Sequence, residues 1–297
     1  MKGFRFLVAA ALAALILAGG VRQGVTADTA PLEVAIEARA LQPGELLVVT
    51  ITAPEGAAEV GVRLFNRAAQ AFMIGKSRWQ ALVGIDLDQR PGSYTLTVDA
   101  RVNGTLITRT RPVRVRSKAF PSRTLRVAPE FVNPPPALLE RINRESALVG
   151  AAYAASARER LWTEPFARPV PQPANSRFGT RSVFNGERRA PHAGTDFLSG
   201  AGTPVGAPNA GRVVVARDLF FSGNTVIIDH GLGVFSMLAH LSRIDVHEGD
   251  VIAVGRVVGL VGATGRVTGP HLHWALRVNG ARVDALSALQ LLGSKSG

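Results

Sequence analysis

The sequence predicts a mainly β protein in which two β domains flank a helical linker. Three observations predict it. Short β-branched runs alternate with Pro/Gly/Asn turns between Pro31 and Arg116; one stretch with helical spacing follows a proline-rich segment; and a second series of β-type runs extends from about residue 174. The chain has 297 residues, more than a single domain usually takes. It contains no cysteine, so packing rather than disulfides must stabilise it, and thiolate is excluded as nucleophile or metal ligand.

Residues 1–27 read as a secretory signal segment. Lys2 and Arg5 precede an apolar run from Phe6 to Ala18, and "VTA", ending at Ala27, has small residues at both cleavage-determining positions. The run is shorter than the roughly 20 residues of a spanning helix, so cleavage is expected and no transmembrane span remains after it. No Cys follows the run, which excludes lipid attachment to one. The expected location is exported, in the periplasm or cell envelope. Removing the segment takes away Lys2, Arg5 and Arg22 and no acid, which lowers the net charge from +12 to +9. That excess favours an anionic partner. With few aromatics and no basic–aromatic motif the sequence argues against nucleic acid and for an anionic cell-wall polymer or membrane surface. A monomer is expected.

Residues 31–118 contain "LEVAIEA", "LLVVTIT", "EVGVRLF", "ALVGIDL", "YTLTVDA", "TLITRT" and "VRVRS", separated by turn signals such as "QPGE", "APEG", "QRPGS" and "VNG". This pattern predicts an antiparallel β-sandwich of immunoglobulin-like type. It holds no titratable cluster, so binding or positioning is its expected role. Residues 119–173 form the linker. "KAFPSRTLRVAPEFVNPPP" is broken by prolines, and "ALLERINRESALVGAAYAASARERLW" can gather Leu138, Ile142, Leu148, Val149 and Tyr153 on one side of a helix. "EPFARPVPQP" ends it.

Residues 174–297 are again strand after strand, and all six histidines of the chain lie there: His192, His230, His240, His247, His271 and His273. In "PHAGTDF", Pro191 and Gly194 indicate a loop entering a strand, from which His192 and Asp196 can converge on one ion. In "GPHLHW", a strand would point His271 and His273 to the same face. A catalytic zinc takes about three His or carboxylate ligands and keeps one open position. His192, Asp196 and one histidine of the His-x-His pair supply such a set. Read singly, the first motif is also an ordinary polar turn and the second a pair of solvated strand histidines.

Together, "RFGTRSVFNGERRAPHAGTDFLSGAGTPVGAPNAGRVV", "GNTVIIDHGLGVFSMLAHLS" and "VHEGDVIAVGRVVGLVGATGRVTGPHLHWALRVNG" resemble the lysostaphin-type zinc metalloendopeptidase domain, which cleaves peptidoglycan cross-bridges. The likeness covers about residues 176–285, with the three motifs in order. The upstream sandwich and "LRVAPEFVNPP" also resemble envelope members of that family from diderm bacteria. The resemblance implies a C-terminal antiparallel β-sheet metallopeptidase domain with Zn2+ on His192, Asp196 and His273. It implies catalytic, non-ligand roles for His240 and His271, and peptidoglycan peptide cross-bridges as substrate. The sequence departs from a frequent pattern at Leu238, where a Tyr often precedes "AHL"; this bears on a phenol's transition-state contact, not on metal binding. His230 and His247 match no role.

The chemistry expected is hydrolysis by metal-activated water, with histidine, whose ordinary pKa is about 6.5, carrying protons between the water and the leaving amine. "WTEPFARPVPQP" reads as a stiff strap suited to lie along the peptide groove and hold the enzyme partly latent. Two alternatives accompany this reading. One is a catalytically silent relative that binds peptidoglycan or activates another hydrolase, although such members typically lose metal ligands that this chain keeps. The other is a zinc peptidase acting on a secreted protein.

Overall fold

Alternation along the N-terminal runs decides which side chains each strand buries. The computed structural model describes residues 32–176 and 178–294; the expected signal segment lies outside them. Among the described residues, no helix is long and apolar enough to cross a membrane. The N-terminal region forms two four-stranded antiparallel sheets. One orders Glu33–Ala38, Leu46–Thr52, Arg78–Gly84 and Phe72–Gly75; the other orders Arg67–Gln70, Ala57–Leu64, Gly92–Val102 and Thr105–Val115. Leu47, Val49 and Ile51 from the first meet Val60, Val62, Leu96 and Val98 from the second in one core. "TLITRT" and "VRVRS" are one strand rather than two. Pro112 sits within it because this strand is at the sheet edge, where a missing N–H breaks no ladder on the open side.

"LLVVTIT" does not alternate, and the reason is burial on both faces. While Leu47, Val49 and Ile51 fill the sandwich, Leu46 and Val48, with Leu82 from the neighbouring strand, join the core of the C-terminal region. Polar contacts pin the same junction. The Leu46 amide donates to Ser287 Oγ at 3.0 Å, the Asp284 amide to the Gly44 carbonyl at 2.7 Å, and Arg39 pairs with Asp284 at 2.6 Å and with Glu45 at 2.9 Å. Arg282 bridges to Asp86, also at 2.6 Å. Burial would raise the Asp86 carboxyl, but the hydrogen bonds from Arg282 outweigh it and bring it down to about 2.

The linker is part of the fold rather than a spacer. Its strand Ser122–Leu125 adds in parallel to Arg181–Phe184, which pairs on its other side with Glu187–Arg188. The helix runs over Pro136–Ala154, starting where a proline is tolerated in the first turn. Its residues Leu148, Val149, Ala152 and Tyr153 pack on Val215, Ile227 and Phe235 of the C-terminal sheet. The proline-rich strap beyond it does not lie along a groove, as its composition suggested. Trp162, Phe166 and Val170 are buried in the main core, the Phe166 amide donates to the Leu292 carbonyl at 2.9 Å, and Trp162 meets Phe72 edge-on at 5.7 Å. Apolar side chains at 162, 166 and 170 outweigh the prolines between them.

The C-terminal sheet is antiparallel, its main path running Ala174–Ser176, Thr195–Phe197, Leu272–Val278, Val234–Ile244, Gly223–Asp229, Gly211–Leu219 and Val251–Ile252. His230 is fully buried beneath it, between the Ala210 carbonyl at 2.8 Å and Ser236 Oγ at 2.9 Å, a structural role. His247 is on the surface.

Two outcomes follow from these placements. Phe166→Ala is expected to cost about 3–5 kcal/mol of stability, the usual cost of truncating a buried Phe, in denaturant unfolding. A strap resting in a groove would change activity instead. Burial lowers His230 to about 4, so as pH falls from 6.5 toward 4 the unfolded chain takes up a proton that the folded chain refuses, and stability drops. Melting followed across that window is expected to fall less steeply with pH for His230→Gln than for the parent chain.

Candidate active site

Strand register brings the predicted residues together. Asp196 pairs directly with His273, and His273 pairs on its other side with Ala239. His192 enters from the loop before the Asp196 strand, held by its amide to the Thr180 carbonyl at 2.9 Å. His192 Nε2 lies 3.0 Å from Asp196 Oδ1 and 3.0 Å from His273 Nδ1, and His273 Nδ1 lies 2.8 Å from the same carboxylate oxygen. Gly194 is what lets the loop come so close. A Cβ there would stand 2.5 Å from the His273 ring and 2.8 Å from the Trp274 carbonyl.

His240 reaches the same place through a bulge. Val226 faces Leu238 and Asn224 faces Leu241, so Thr225 alone opposes both Ala239 and His240. The extra residue re-aims the side chain. His240 has φ +66, a left-handed conformation that costs a non-glycine residue on the order of 1–3 kcal/mol. Its amide to Ser222 and its ring Nδ1 to the Thr264 carbonyl, both 2.9 Å, hold it there. His271 is anchored likewise, Nδ1 to the Gly269 carbonyl at 2.9 Å. A carbonyl only accepts, so each Nδ1 carries the proton and the neutral ring presents an unprotonated Nε2. The His240 ring is 4.9 Å from that of His271 and 5.7 Å from that of His273, and His271 Nε2 is 3.8 Å from Asp196 Oδ1.

Three groups here have shifted proton affinities. Burial would raise the Asp196 carboxyl, but hydrogen bonds from His192 and His273 outweigh it and hold it well below the usual carboxylate range. Burial lowers His273, only partly offset by Asp196. His240 is brought down to about 3 by burial first and then by the charges of His273 and His271. His192, Asp196 and His273 are also the set among the described residues whose donor atoms are close enough to share a metal ion. Two imidazole nitrogens and a carboxylate oxygen suit zinc. The three donor atoms stand 2.8–3.0 Å apart, near enough for one ion to be held by all of them.

The histidines line a cleft of about 440 Å³. Leu238 does not reach it. That side chain is fully buried in the main core, so its identity does not bear on contacts in the cleft. Several cleft residues lie outside the histidine motifs. Arg123, Leu125 and Val127 of the linker form one wall, and Arg266, Phe184 and Phe221 stand beside it. The short β-type run "TLRV" was the available signal for the linker strand. Nothing local in the sequence announces the bulge at His240.

The model of peptidase family M23 matches residues 190–285. Peptidoglycan DD-endopeptidase ShyA of Vibrio cholerae is 47% identical over 102 residues, 34% of this chain and 24% of the relative. DD-carboxypeptidase/endopeptidase Mpg of Neisseria meningitidis is 44% identical over 96 residues, 32% of this chain and 22% of the relative. The chain thus spans about a quarter of the length of these curated relatives. The crystal structure of a putative peptidase M23 from Pseudomonas aeruginosa superposes with a TM-score of 0.66 at 35% identity, covering 85% of this chain and 95% of that one. A likeness that runs through sandwich, linker and sheet alike, with the family match falling on the strands that carry the histidine cluster, makes this chain a member of peptidase family M23.

Proposed function

We propose that the chain is a zinc-dependent endopeptidase that hydrolyses peptide cross-links of peptidoglycan in the bacterial cell envelope. The observation that carries the reading is the pairing of three convergent donors, His192, Asp196 and His273, with two more histidines whose Nδ1 atoms are committed to backbone carbonyls. Bound by the three donors, zinc lowers the pKa of a water and polarises a carbonyl. His240 and His271 supply the proton traffic. An unprotonated Nε2 at the cleft accepts a proton as the water attacks and returns one to the leaving amine as the C–N bond breaks. Asp196 stays ionised and contributes the negative charge that a dication needs. The names of the relatives support a D,D cross-link as the scissile bond, and the expected export segment supports an envelope location.

The test is zinc content measured beside turnover of purified peptidoglycan, with circular dichroism as the folding control. His273→Ala and His192→Ala are expected to lose zinc and activity together. His271→Ala and His240→Ala are expected to keep near-stoichiometric zinc while turnover falls by about a hundredfold or more, the range for losing acid–base assistance. Full zinc occupancy in His192→Ala, or zinc lost from His271→Ala and kept by His273→Ala, would overturn these assignments.

Gly194→Ala changes no donor atom. Its methyl nonetheless meets the His273 ring, so weakened zinc retention under chelator challenge is expected. Retention equal to that of the parent chain would show that the ring can give way.

A further inference from the structure

Among the described residues, Arg266 has no anionic partner. Its guanidinium is held between two rings, 5.0 Å from the centroid of Phe184 and 4.9 Å from that of Phe221. No carboxylate among the described residues pairs with it, and its side chain makes no hydrogen bond there. It lines the same cleft as His240 and His271. Among the described residues of that lining Asp196 is the one carboxylate, and it is already engaged by His192 and His273. Burial first, and then the charge of Arg189, lowers the proton affinity of Arg266. A partly desolvated cation without a counter-charge is a standing electrostatic cost, which an incoming anion would remove.

The position of Arg266 is fixed relative to the reacting centre. Two residues before it, Thr264 accepts from His240 through its carbonyl and ties its own hydroxyl to the Leu241 carbonyl at 2.8 Å. Gly265, at φ +73, lies so tight against the Gly223 amide that a Cβ would stand 2.4 Å from it, and the Arg266 amide donates to the Phe221 carbonyl at 2.9 Å. The loop that orients His240 therefore also orients Arg266. Contact with two aromatic rings limits where the guanidinium can go, and a guanidinium so held can receive a planar anion in two-pronged fashion.

We propose that Arg266, clamped between Phe184 and Phe221, binds a free carboxylate of the substrate peptide next to the scissile bond, so that the cleft selects acidic cross-linked peptides over neutral ones such as glycine bridges. This rests on the endopeptidase reading above and adds the substrate class. The cation stands in the wall of the cleft, beside the metal cluster rather than within it, which suits recognition of a neighbouring group rather than of the carbonyl under attack.

The experiment uses the full zinc-loaded chain and a synthetic peptide dimer, joined by a D-alanyl–diamino-acid bond, whose carboxylate beside that bond is either free or amidated. The parent chain is expected to favour the acid over the amide by about 10- to 100-fold in kcat/KM, the scale of hydrogen bonds to a charged group. Arg266→Gln is expected to erase that ratio by losing the acid, while zinc content stays that of the parent chain. Arg266→Lys, which keeps the charge without the stacked fork, should retain part of it and guards against a folding defect. Binding of the same pair is measured by calorimetry. An acid preference in binding that Arg266→Gln abolishes, without hydrolysis of either peptide, would sustain the carboxylate site while removing the endopeptidase reading. Equal handling of acid and amide by the parent chain, or a ratio that survives in Arg266→Gln, overturns the proposal.

Discussion

The register between Thr195–Phe197 and Leu272–Val278 governs everything in the cleft. Side chains along a strand alternate between faces, so a slip of one residue would send Asp196 and His273 to opposite sides of the sheet and dissolve the cluster. The register is locked from both ends of the alternation. Trp274 and Phe197 are completely buried on the core side, and Thr195 donates its hydroxyl to Asp284 at 3.0 Å. Asp284 in turn pairs with Arg39 of the sandwich. The strand that carries the carboxylate is thereby fastened to a residue more than 150 positions earlier in the chain.

The cleft combines opposite physical demands. Asp196 is charged in a nearly dry place, because hydrogen bonds from His192 and His273 outweigh its burial. His240 is neutral, because burial and the neighbouring imidazoles disfavour its charged form. One carbonyl of the loop preceding "GPHLHW" fixes the His240 tautomer, so a segment that coordinates nothing sets where a proton is placed.

Much of this architecture was legible in the sequence, because the signals involved are local. Alternation announced most strands, and "PHAGTDF", "AHL" and "HLH" carry residues that meet in space. What escaped notice depends on partners distant in sequence. The continuous run "LLVVTIT" conveys burial on two faces but not the identity of the second face. The strap at 162–173 shows its prolines more loudly than Trp162 and Phe166, and only the core around it explains where those rings go. Two short strands, Arg67–Gln70 and Phe72–Gly75, lie in "RAAQAFMIG", too brief and too mixed for alternation to register. The linker strand Ser122–Leu125 finds its neighbour nearly 60 residues later, which no window along the chain can see.

The strand Leu46–Thr52, shared between two cores, sets how the sandwich and the cleft move with respect to each other. Swinging the sandwich away would expose Leu46, Val48 and Leu82, about 5–9 kcal/mol of apolar burial at the usual value per side chain, before any ion pair is broken. The joint is therefore a weld and not a hinge. Whatever the sandwich rests against, the cleft is carried at one fixed height and one fixed angle to it, and anything held by the one is presented to the other in a single geometry.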